Sequence, residues 1–396
     1  MFFLHSPNPF PGASWTRIEF FAEYLRKKGY KVAIAGSFSL FTLNKAGSVK
    51  WNGIRILNIT PILMIQNLFS LMLNIVSSLV TSIPILILLR PEVVIISVPN
   101  GETGLGSYAM AKLFRIKKIV IDYRDEWEDY SINNASSRIY KRSCQYLKTV
   151  MTKCYMKSDF VITVTEPLAK SLHSRGIANV KIITNGADCN VFKPNGKEIL
   201  RNKMGFNKND FIIVYTGFIG AYYRLDVVIK ALKIIIDKIP SVKLLLVGCG
   251  SDVEGVLNLA NRIGLQNSVF YLGAKIDKME LGEILSASDV GIIPRDANPL
   301  WNNALPAKSL EYFACGLPVL ATVHGDSLVA RLIDENKIGL YSEPENVDAL
   351  ADTIEKIYND NIFISDAGKR AALLIQERFD RNKIAEDFLN LLKNDC

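Results

Sequence analysis

A lysine and a glutamate three residues apart carry the clearest chemical signal in the sequence. Lys308 and Glu311 stand at the start of a predicted short helix within residues 303–322, and small residues, a glycine and an apolar strand follow. Residues three apart share one helix face, so the ammonium and the carboxylate point the same way. The free N–H groups of a helix N-terminus favour an anion such as phosphate. Such a site suits a ligand that combines a diphosphate with a sugar hydroxyl, as a nucleotide-sugar does.

Glycine loops that follow strand-like runs could supply further phosphate contacts. Gly12 follows the first run of the chain, and Gly217 and Gly248 follow two runs of the second half. A strand, a glycine loop and a helix place backbone donors at the carboxyl edge of a parallel sheet. Arg224, in the loop after Gly217, could neutralise a phosphate there. No G-x-G-x-x-G fingerprint occurs, which disfavours a dinucleotide.

An arginine and a carboxylate also emerge at a strand end in the first half. Arg124 and Asp125 follow the apolar run 119–123, at the position where α/β sheets bind ligands. Asp125 could hydrogen-bond a hydroxyl, and Arg124 could contact an anion. The alternative is a structural Arg–Asp pair.

The strands that must position these residues are short, β-branched and nearly continuous apolar runs. Such runs are typical of buried parallel strands, and helical patterns between them make βαβ units. The runs are residues 32–35, 93–97, 119–123, 160–165, 181–184, 211–216, 243–247, 269–272, 290–294 and 318–321. The sequence therefore predicts an α/β protein with two doubly wound domains, residues 1–190 and 191–379, with a polar linker within 188–210.

Composition favours a globular protein of the cytoplasm. The 396 residues allow two domains, and an apolar fraction of 49% is enough for real cores. Six cysteines form no C-x-x-C pair, and no secretory signal precedes the strand-like run that begins at Phe2, which favours reduced thiols. With three histidines and no histidine–cysteine cluster, a metal site is not expected.

Positive charge is concentrated in the first half of the chain. Residues 1–190 contain 23 lysines and arginines against 12 acidic residues, and the remainder contains 24 against 27. This asymmetry indicates that one half faces an anionic surface. No nucleic-acid motif occurs, so lipid headgroups are favoured, and a basic surface without a partner is the alternative. The candidate membrane residues are Lys112, Arg115, Lys117, Lys118, Arg138, Lys141 and Arg142.

Residues 61–89 contain no charge over 29 positions, a length that could cross a membrane. Polar side chains between Gln66 and Ser82 recur at helical spacing, and Pro84 follows them. The pattern predicts an amphipathic helix packed on a sheet. Contact with a bilayer interface and a full membrane span are the alternatives.

The ordered set of motifs resembles the retaining glycosyltransferases of family 4, which have the GT-B architecture of two Rossmann-like domains facing a central cleft. The resemblance covers nearly the whole chain, and the ordered set is more specific than any motif alone. The segment Arg124-Asp125-Glu126-Trp127 is similar to the branch that acts on lipid-linked glycan and polysaccharide precursors. The other motifs are Asn185-Gly186-Ala187-Asp188 with Phe192-Lys193-Pro194, and residues 215–226, 246–250 and 306–318.

The resemblance implies a donor site on the C-terminal domain and an acceptor site on the N-terminal domain, with the last helix, 380–396, packing back on the first domain. Glu311 would hold the ribose of a UDP- or GDP-sugar. Lys308, Arg224 and Asp125 would act in transfer with retention of configuration, without a metal or other cofactor, because cations and helix dipoles stabilise the leaving charge. The further donor residues would be Gly12, Gly217, Gly248, Asn303 and Gly316, and the acceptor or cleft residues His5, Trp15, Arg124 and Trp127.

Several positions depart from the family's pattern. Asn303 replaces a usual glutamate, Phe218 a usual arginine, a usual lysine is missing near Tyr223, and the first loop has one glycine where two are common. An asparagine can still bond a hydroxyl but carries no charge. The main interpretation is an enzyme peripheral on the inner face of the cell membrane that moves a hexose or N-acetylhexosamine to a lipid-linked glycan. The alternatives are a soluble glycosyltransferase for a small acceptor, a nucleotide-sugar epimerase and a non-catalytic nucleotide-sugar-binding partner subunit.

Overall fold

The computed structural model describes residues 1–6, 9–10, 15–98, 101–275 and 277–394. The chain divides by its contacts into two units. Met1–Thr184 with Ala385–Cys396 form the N-terminal unit, and Asn185–Ile384 form the C-terminal unit. The division thus lies six residues before the boundary predicted from the sequence.

The N-terminal unit is built on an eight-stranded sheet. Its strands are β1 (Phe2–Leu4), β2 (Ala33–Phe38), β3 (Gly47–Trp51), β4 (Ile54–Pro61), β5 (Val93–Ser97), β6 (Lys118–Tyr123), β7 (Phe160–Thr163) and β8 (Val180–Ile182). The spatial order is β3-β4-β2-β1-β5-β6-β7-β8, and only the β3–β4 pair is antiparallel. The helices are α1 (Thr16–Lys27), α2 (Leu68–Leu89), α3 (Gly101–Leu113), α4 (Trp127–Asn133), α5 (Arg138–Met156) and α6 (Glu166–Ser174). The order reverses beside β1, so the end of this strand is a topological switch point.

Helix α2 packs the opposite way from the sequence prediction. Its buried side chains in the first four turns are the polar residues Ser70, Asn74, Ser78 and Ser82, whereas apolar side chains such as Phe69 face outwards. The amphipathic helix exists as predicted, but its polar stripe, not its apolar stripe, is turned inwards. The reason is the neighbouring α3, whose Gly106 lies so close that only small side chains fit opposite it.

The C-terminal unit contains a second, wholly parallel sheet. Its strands are β9 (Phe211–Phe218), β10 (Val242–Cys249), β11 (Val269–Tyr271), β12 (Val290–Pro294), β13 (Val319–Thr322) and β14 (Gly339–Ser342). The order is β11-β10-β9-β12-β13-β14. The helices are α7 (Lys197–Lys203), α8 (Leu225–Ile235), α9 (Val253–Arg262), α10 (Lys278–Ala287), α11 (Ala307–Ala314), α12 (Leu328–Asn336), α13 (Val347–Tyr358) and α14 (Asn361–Arg378), and α15 (Arg381–Asn394) follows them. The strand order reverses between β9 and β12, which marks the edge where such sheets bind ligands.

The last helix, α15, begins in the C-terminal unit and ends in the N-terminal unit. Within the N-terminal unit, the Phe388 ring packs on Phe21 with centroids 4.5 Å apart. The buried ammonium of Lys118 donates to the carbonyl of Leu392 at 2.9 Å. These contacts tie the end of the chain to α1 and β6.

Candidate functional site

The side chain of Lys308 ends at the switch point of the C-terminal sheet. Pro306 precedes α11, so Lys308 lies in the first turn and its stem is buried. Its Nζ lies 3.7 Å from the centroid of the Tyr215 ring and 4.0 Å from that of Tyr223. Among the residues described, Nζ has no hydrogen-bond acceptor. Burial lowers the pKa of Lys308 well below its ordinary value, and the charge of Arg295 lowers it further.

Gly217, at the end of β9, brings bare backbone close to the buried ammonium of Lys308. Its φ is +112°, and a Cβ at this position would lie 3.3 Å from Nζ of Lys308. A side chain would therefore be strained and would cover the cation.

Arg295, which the sequence analysis did not select, is a second cation in this group. It follows the last residue of β12, and its Cζ lies 4.8 Å from the ring centroid of Tyr223 and 4.7 Å from that of Trp301. The side chain is buried, so the stacked guanidinium is held in one place. The signal that could have found it is its position directly after a buried parallel strand.

Aromatic rings border the two cations. Phe218 stacks with Tyr222 at 6.1 Å between centroids and 16° between planes, and Tyr222 lies 5.6 Å from Trp301 at 30°. Phe218 is 41% exposed. An exposed flat ring can stack on a base or on the apolar face of a sugar.

Glu311 lies one helical turn after Lys308 and faces Arg381. An oxygen of its carboxylate is 3.9 Å from the guanidinium of Arg381, which also donates to the carbonyl of Gly186 at 2.6 Å. Burial raises the pKa of Glu311, while Arg381, Lys278 and Lys308 oppose that shift. The Gly186 carbonyl of the Asn-Gly turn thus positions Arg381 beside Glu311.

Arg224 does not supply the free cation that the sequence analysis expected. Its guanidinium donates to Asp226 at 2.9 and 3.1 Å and also to Glu345. These two carboxylates raise its pKa and neutralise its charge. Arg295 occupies the position near Lys308 instead.

The backbone amides of Gly248 and Gly316 are engaged within the fold, contrary to their expected role at a phosphate. Gly248 N–H donates to the carbonyl of Gly273 at 2.9 Å, and Gly316 N–H to that of Phe313 at 3.0 Å. Gly316 has φ +71° at the far end of α11 from Lys308, which is a helix-ending role. A Cβ on Gly248 would overlap the carbonyl of Gly217, so this glycine lets two strand ends approach.

Two further donor candidates have different outcomes. Asn303 is half-buried in the short 3₁₀ helix Pro299–Asn303, four residues before α11. Gly12 lies outside the residues that the structure describes. Its expected contact with a phosphate stays a prediction.

In the N-terminal unit, Asp125 is a half-buried residue two positions after the end of β6, and its Oδ1 atom is buried. Its Oδ1 has no hydrogen-bond partner among the described residues. Burial raises the pKa of Asp125 to about 7, although Arg124 and a backbone hydrogen bond at Trp127 oppose the shift. The guanidinium of Arg124 also lies 3.9 Å from Asp122. A carboxyl group that titrates near neutrality can exchange a proton with a hydroxyl.

The other acceptor candidates differ in accessibility. Trp15 is fully buried against Phe10, with ring centroids 5.6 Å apart, so it is a core residue and not an acceptor contact. His5 is buried too, bonded through Nε2 to Ser107 Oγ at 2.8 Å, and burial lowers its pKa to about 4. Trp127 is half-buried, edge-on to Tyr130 at 4.9 Å.

Six of the seven candidate membrane residues are exposed, and none of the six pairs with a carboxylate among the described residues. They are Lys112, Arg115, Lys117, Arg138, Lys141 and Arg142. Lys118 is the exception, because its buried ammonium bonds the carbonyl of Leu392. It is part of the fold and not of the basic surface.

Comparisons with known proteins find similarity to glycosyltransferases. Residues 196–374 match the family model of Glycosyl transferases group 1. D-inositol 3-phosphate glycosyltransferase of Mycobacterium marinum is 26% identical over 226 residues, which are 55% of this chain and 45% of that protein. An uncharacterized glycosyltransferase of Haemophilus influenzae is 24% identical over 267 residues, 67% of this chain and 68% of that protein. The chain thus matches about half the length of the first relative.

Solved structures with the same architecture cover nearly the whole chain. Sucrose-phosphate synthase from Thermosynechococcus elongatus has a TM-score of 0.77 at 19% identity, over 99% of this chain and 98% of that chain. HepE of Anabaena in complex with UDP and glucose has a TM-score of 0.72 at 17% sequence identity, over 99% of each chain. WaaG, a glycosyltransferase involved in lipopolysaccharide biosynthesis, has a TM-score of 0.69 at 16% sequence identity, also over 99% of each chain. The fold is the two-domain GT-B fold that the sequence predicted.

Proposed function

We propose that this protein is a retaining glycosyltransferase that moves a hexose or N-acetylhexosamine from a UDP- or GDP-sugar to a lipid-linked glycan. The observation that carries the proposal is the buried ammonium of Lys308, which lacks a hydrogen-bond acceptor among the described residues and lies beside Gly217. A buried cation without an anion is costly, and a bound anion would remove that cost. The matching family model and the UDP complex of a protein with the same fold support a nucleoside diphosphate as this anion.

The proposed donor site uses three side chains of the C-terminal unit. Lys308 and Arg295 bind the diphosphate, and Glu311 accepts hydrogen bonds from the ribose hydroxyls. Arg295 takes the role that the sequence analysis gave to Arg224. The rings of Phe218 and Tyr222 offer a stacking surface beside the cations.

In the proposed reaction, the bond between the anomeric carbon and the diphosphate oxygen breaks while the acceptor oxygen bonds the same carbon from the same face. The acceptor proton passes to the leaving diphosphate, so atoms and charge balance and configuration is retained. The two cations stabilise the negative charge that develops on the leaving oxygen, so we propose that no metal ion takes part. Asp125 is the proposed contact to the acceptor hydroxyl.

The acceptor is proposed to be lipid-linked, with the protein peripheral on the cytoplasmic face of the membrane. Six exposed basic residues without carboxylate partners support an anionic headgroup surface. A protein of the same fold that takes part in lipopolysaccharide biosynthesis supports a glycan on lipid.

The donor is tested by a thermal-shift screen of UDP, GDP and their sugars. We expect one nucleotide series to raise the midpoint, because a ligand that binds only the folded state stabilises it. Lys308→Met removes a buried charge at similar volume, so it keeps or raises the midpoint without ligand and loses the ligand shift. Lys233→Met, on an exposed face of α8, is the matched control and keeps the shift. If no nucleotide shifts the wild type, the donor assignment is wrong.

Transfer is tested with a lipid-phosphate glycan, a soluble glycan and EDTA. We expect product with the lipid acceptor that persists in EDTA and falls at least about tenfold in Glu311→Gln, as one lost charged hydrogen bond predicts. Nucleotide binding without transfer to any acceptor would instead favour a non-catalytic partner subunit. The observation that favours this alternative is that Phe218 stands where a cation is usual. Interconversion of the nucleotide-sugar without acceptor would favour an epimerase.

A further inference from the structure

The outward face of α2 is the largest apolar feature that the proposed reaction does not use. This helix has 22 residues, a mean hydropathy of 2.2 over its most apolar window and one third of that window buried. Its exposed side chains include Phe69, Met72, Val76, Val80, Ile87 and Leu88. The first four recur every three or four residues and Ile87 follows two turns after Val80, so they form a stripe along the helix. We call this stripe the α2 apolar face.

The opposite face of α2 is fixed to the protein, so the helix cannot turn its apolar face inwards. Asn74 bonds both backbone groups of Leu63, at 2.8 and 3.0 Å. Ser82 donates to the carbonyl of Ser78 at 2.6 Å and lies 3.1 Å from Ser107 of α3. These small polar side chains satisfy their hydrogen bonds within the unit and allow a close approach to α3.

The contacts along α2 also decide how it can meet a membrane. Asn74, Ser78 and Ser82 face Glu102, Gly106 and Ser107 in turn, so α3 lies alongside α2 over more than two turns. A helix that is covered along one side by the rest of its own unit cannot be surrounded by lipid. It can lie in the plane of the interface with its free face among acyl chains.

The charges around α2 favour an anionic bilayer over a protein partner. Residues 61–89 carry no charge, and exposed basic residues lie near both ends of α2, with one exposed acid, Glu92, beside Arg90. Ser136, whose hydroxyl donates to the carbonyl of Gln66 at 3.0 Å, is followed by the exposed Arg138 and Lys141. At the other end, Arg90 caps α2 and is exposed. Cations beside an apolar face meet lipid headgroups while the apolar side chains enter the acyl region. A second copy of this face would bring like charges together.

We infer that the α2 apolar face inserts into an anionic lipid bilayer, with the helix parallel to the membrane plane. The inference deepens the membrane location in the proposed function. It assigns the apolar contribution to membrane binding to α2. The exposed basic residues supply the electrostatic contribution, which salt weakens. It also holds this unit, with its proposed acceptor contact Asp125, at the surface where a lipid-linked substrate resides.

Co-sedimentation with vesicles of phosphatidylcholine and phosphatidylglycerol tests the surface. We expect the wild type to bind in low salt, to bind less in 0.5 M NaCl and to retain a salt-resistant fraction. Val76→Asp puts a charge into the face and lowers the partition coefficient at least about tenfold. The matched control is Ile199→Asp, at an apolar residue of α7 that is 75% exposed, and it leaves binding unchanged. Equal binding of Val76→Asp and wild type would overturn the inference.

Insertion depth is tested with a single tryptophan on the face. Val76→Trp gains fluorescence that shifts to the blue with vesicles and is quenched by brominated acyl chains. Ile199→Trp shows neither effect. Quenching by aqueous iodide alone would overturn insertion, and a wild-type dimer that Val76→Asp dissociates, without vesicle binding, would assign the face to a second copy.

The same variant separates this inference from the proposed function. If the α2 assignment is right, Val76→Asp keeps transfer to a water-soluble acceptor and loses transfer to acceptor in vesicles. If Val76→Asp transfers equally to both, α2 insertion is wrong while the transferase assignment stands. If vesicle binding depends on Val76 but no acceptor is glycosylated, the membrane surface stands and the transferase assignment is wrong.

Discussion

At the scale of single residues, Lys308 shows how burial prepares a cation for an anion. Desolvation and the charge of Arg295 both lower its pKa, so part of the ammonium's charge is lost in the free protein at high pH. A diphosphate beside Gly217 would favour the charged form and raise that pKa. Binding of the nucleotide is then coupled to uptake of a proton.

This coupling predicts that affinity for the nucleotide falls as the pH rises, since the anion binds the protonated lysine. Calorimetry at pH 8 in two buffers with different ionisation enthalpies measures the proton count directly. We expect uptake in the wild type and none in Lys308→Met, with affinity at least about tenfold lower, as loss of one charged hydrogen bond predicts. Lys233→Met retains both. Equal proton uptake in Lys308→Met would show that another group titrates.

The raised pKa of Asp125 predicts how the stability of the N-terminal unit changes with pH. Its pKa is raised to about 7 from an ordinary 3.8, so between these pH values the folded protein holds a proton that the unfolded chain has released. The carboxyl group therefore destabilises the fold increasingly as the pH rises from about 4 to about 7, and the effect levels off above that. Asp125→Asn should raise the free energy of unfolding of the N-terminal unit by about 2–4 kcal/mol at pH 8. Near pH 4 we expect little difference.

Urea denaturation at pH 4, 6 and 8 checks this prediction, with the exposed Asp237→Asn as the control that lacks the trend. If Asp125 contacts the acceptor, the stabilised variant should also transfer more slowly. A variant that is less stable at pH 8 than the wild type would contradict the pKa argument.

The site residues show which chemistry can be predicted from a sequence. Lys308 and Glu311 were selected because residues three apart share a helix face, and the structure places both in α11; their role at a donor stays a prediction. The pairing of Arg224 was not predicted, because its partner Glu345 lies 121 residues away and no local pattern reveals that pair. Arg295 was missed because its position depends on rings from two separate loops.

At the scale of elements, the hydrophobic period of a strand or helix could be predicted from the sequence. Which face of a helix is buried could not. Most runs selected from the sequence are strands, because parallel strands buried on both faces have a continuous apolar signature. The β3–β4 hairpin was missed, although Asn52-Gly53, with φ of 46° and 79°, is a recognised hairpin turn. For α2, the spacing fixed two faces, but the choice of the buried face follows from the close approach of Gly106 in α3.

That close approach gives an element-scale prediction. A Cβ on Gly106 would overlap Ser78 Oγ and lie 2.7 Å from backbone atoms of Ile75 and Leu79. Gly106→Ala must therefore separate α2 from α3, which should cost about 1–3 kcal/mol of unfolding free energy. Gly101→Ala, in the same helix, meets only side-chain atoms at 3.7 Å or more and should be neutral or slightly stabilising. Denaturant melts compare the two, and equal stability of both variants would contradict tight packing of α2 on α3.

At the scale of the whole molecule, the chain forms two units, each with its own sheet and cores. Alternation of strands and helices predicts this class directly. Which unit receives the last helix is a tertiary property, since an amphipathic helix can cover any apolar surface. In the structure the end of α15 covers α1, and its Leu392 carbonyl is the partner of a buried lysine.

The last helix therefore carries a prediction about the N-terminal unit alone. Phe388 is fully buried and packs on Phe21, so Phe388→Ala leaves a cavity and should cost about 3–5 kcal/mol. Hydrogen exchange followed by mass spectrometry should show faster exchange in β1, β6 and α1, with the strands of the C-terminal unit unchanged. Phe388→Leu should recover most protection, and the exposed Ile362→Ala should change the free energy by less than about 0.5 kcal/mol. Loss of protection spread evenly over both units would contradict an independent N-terminal core, because a local cavity acts first on the elements that surround it.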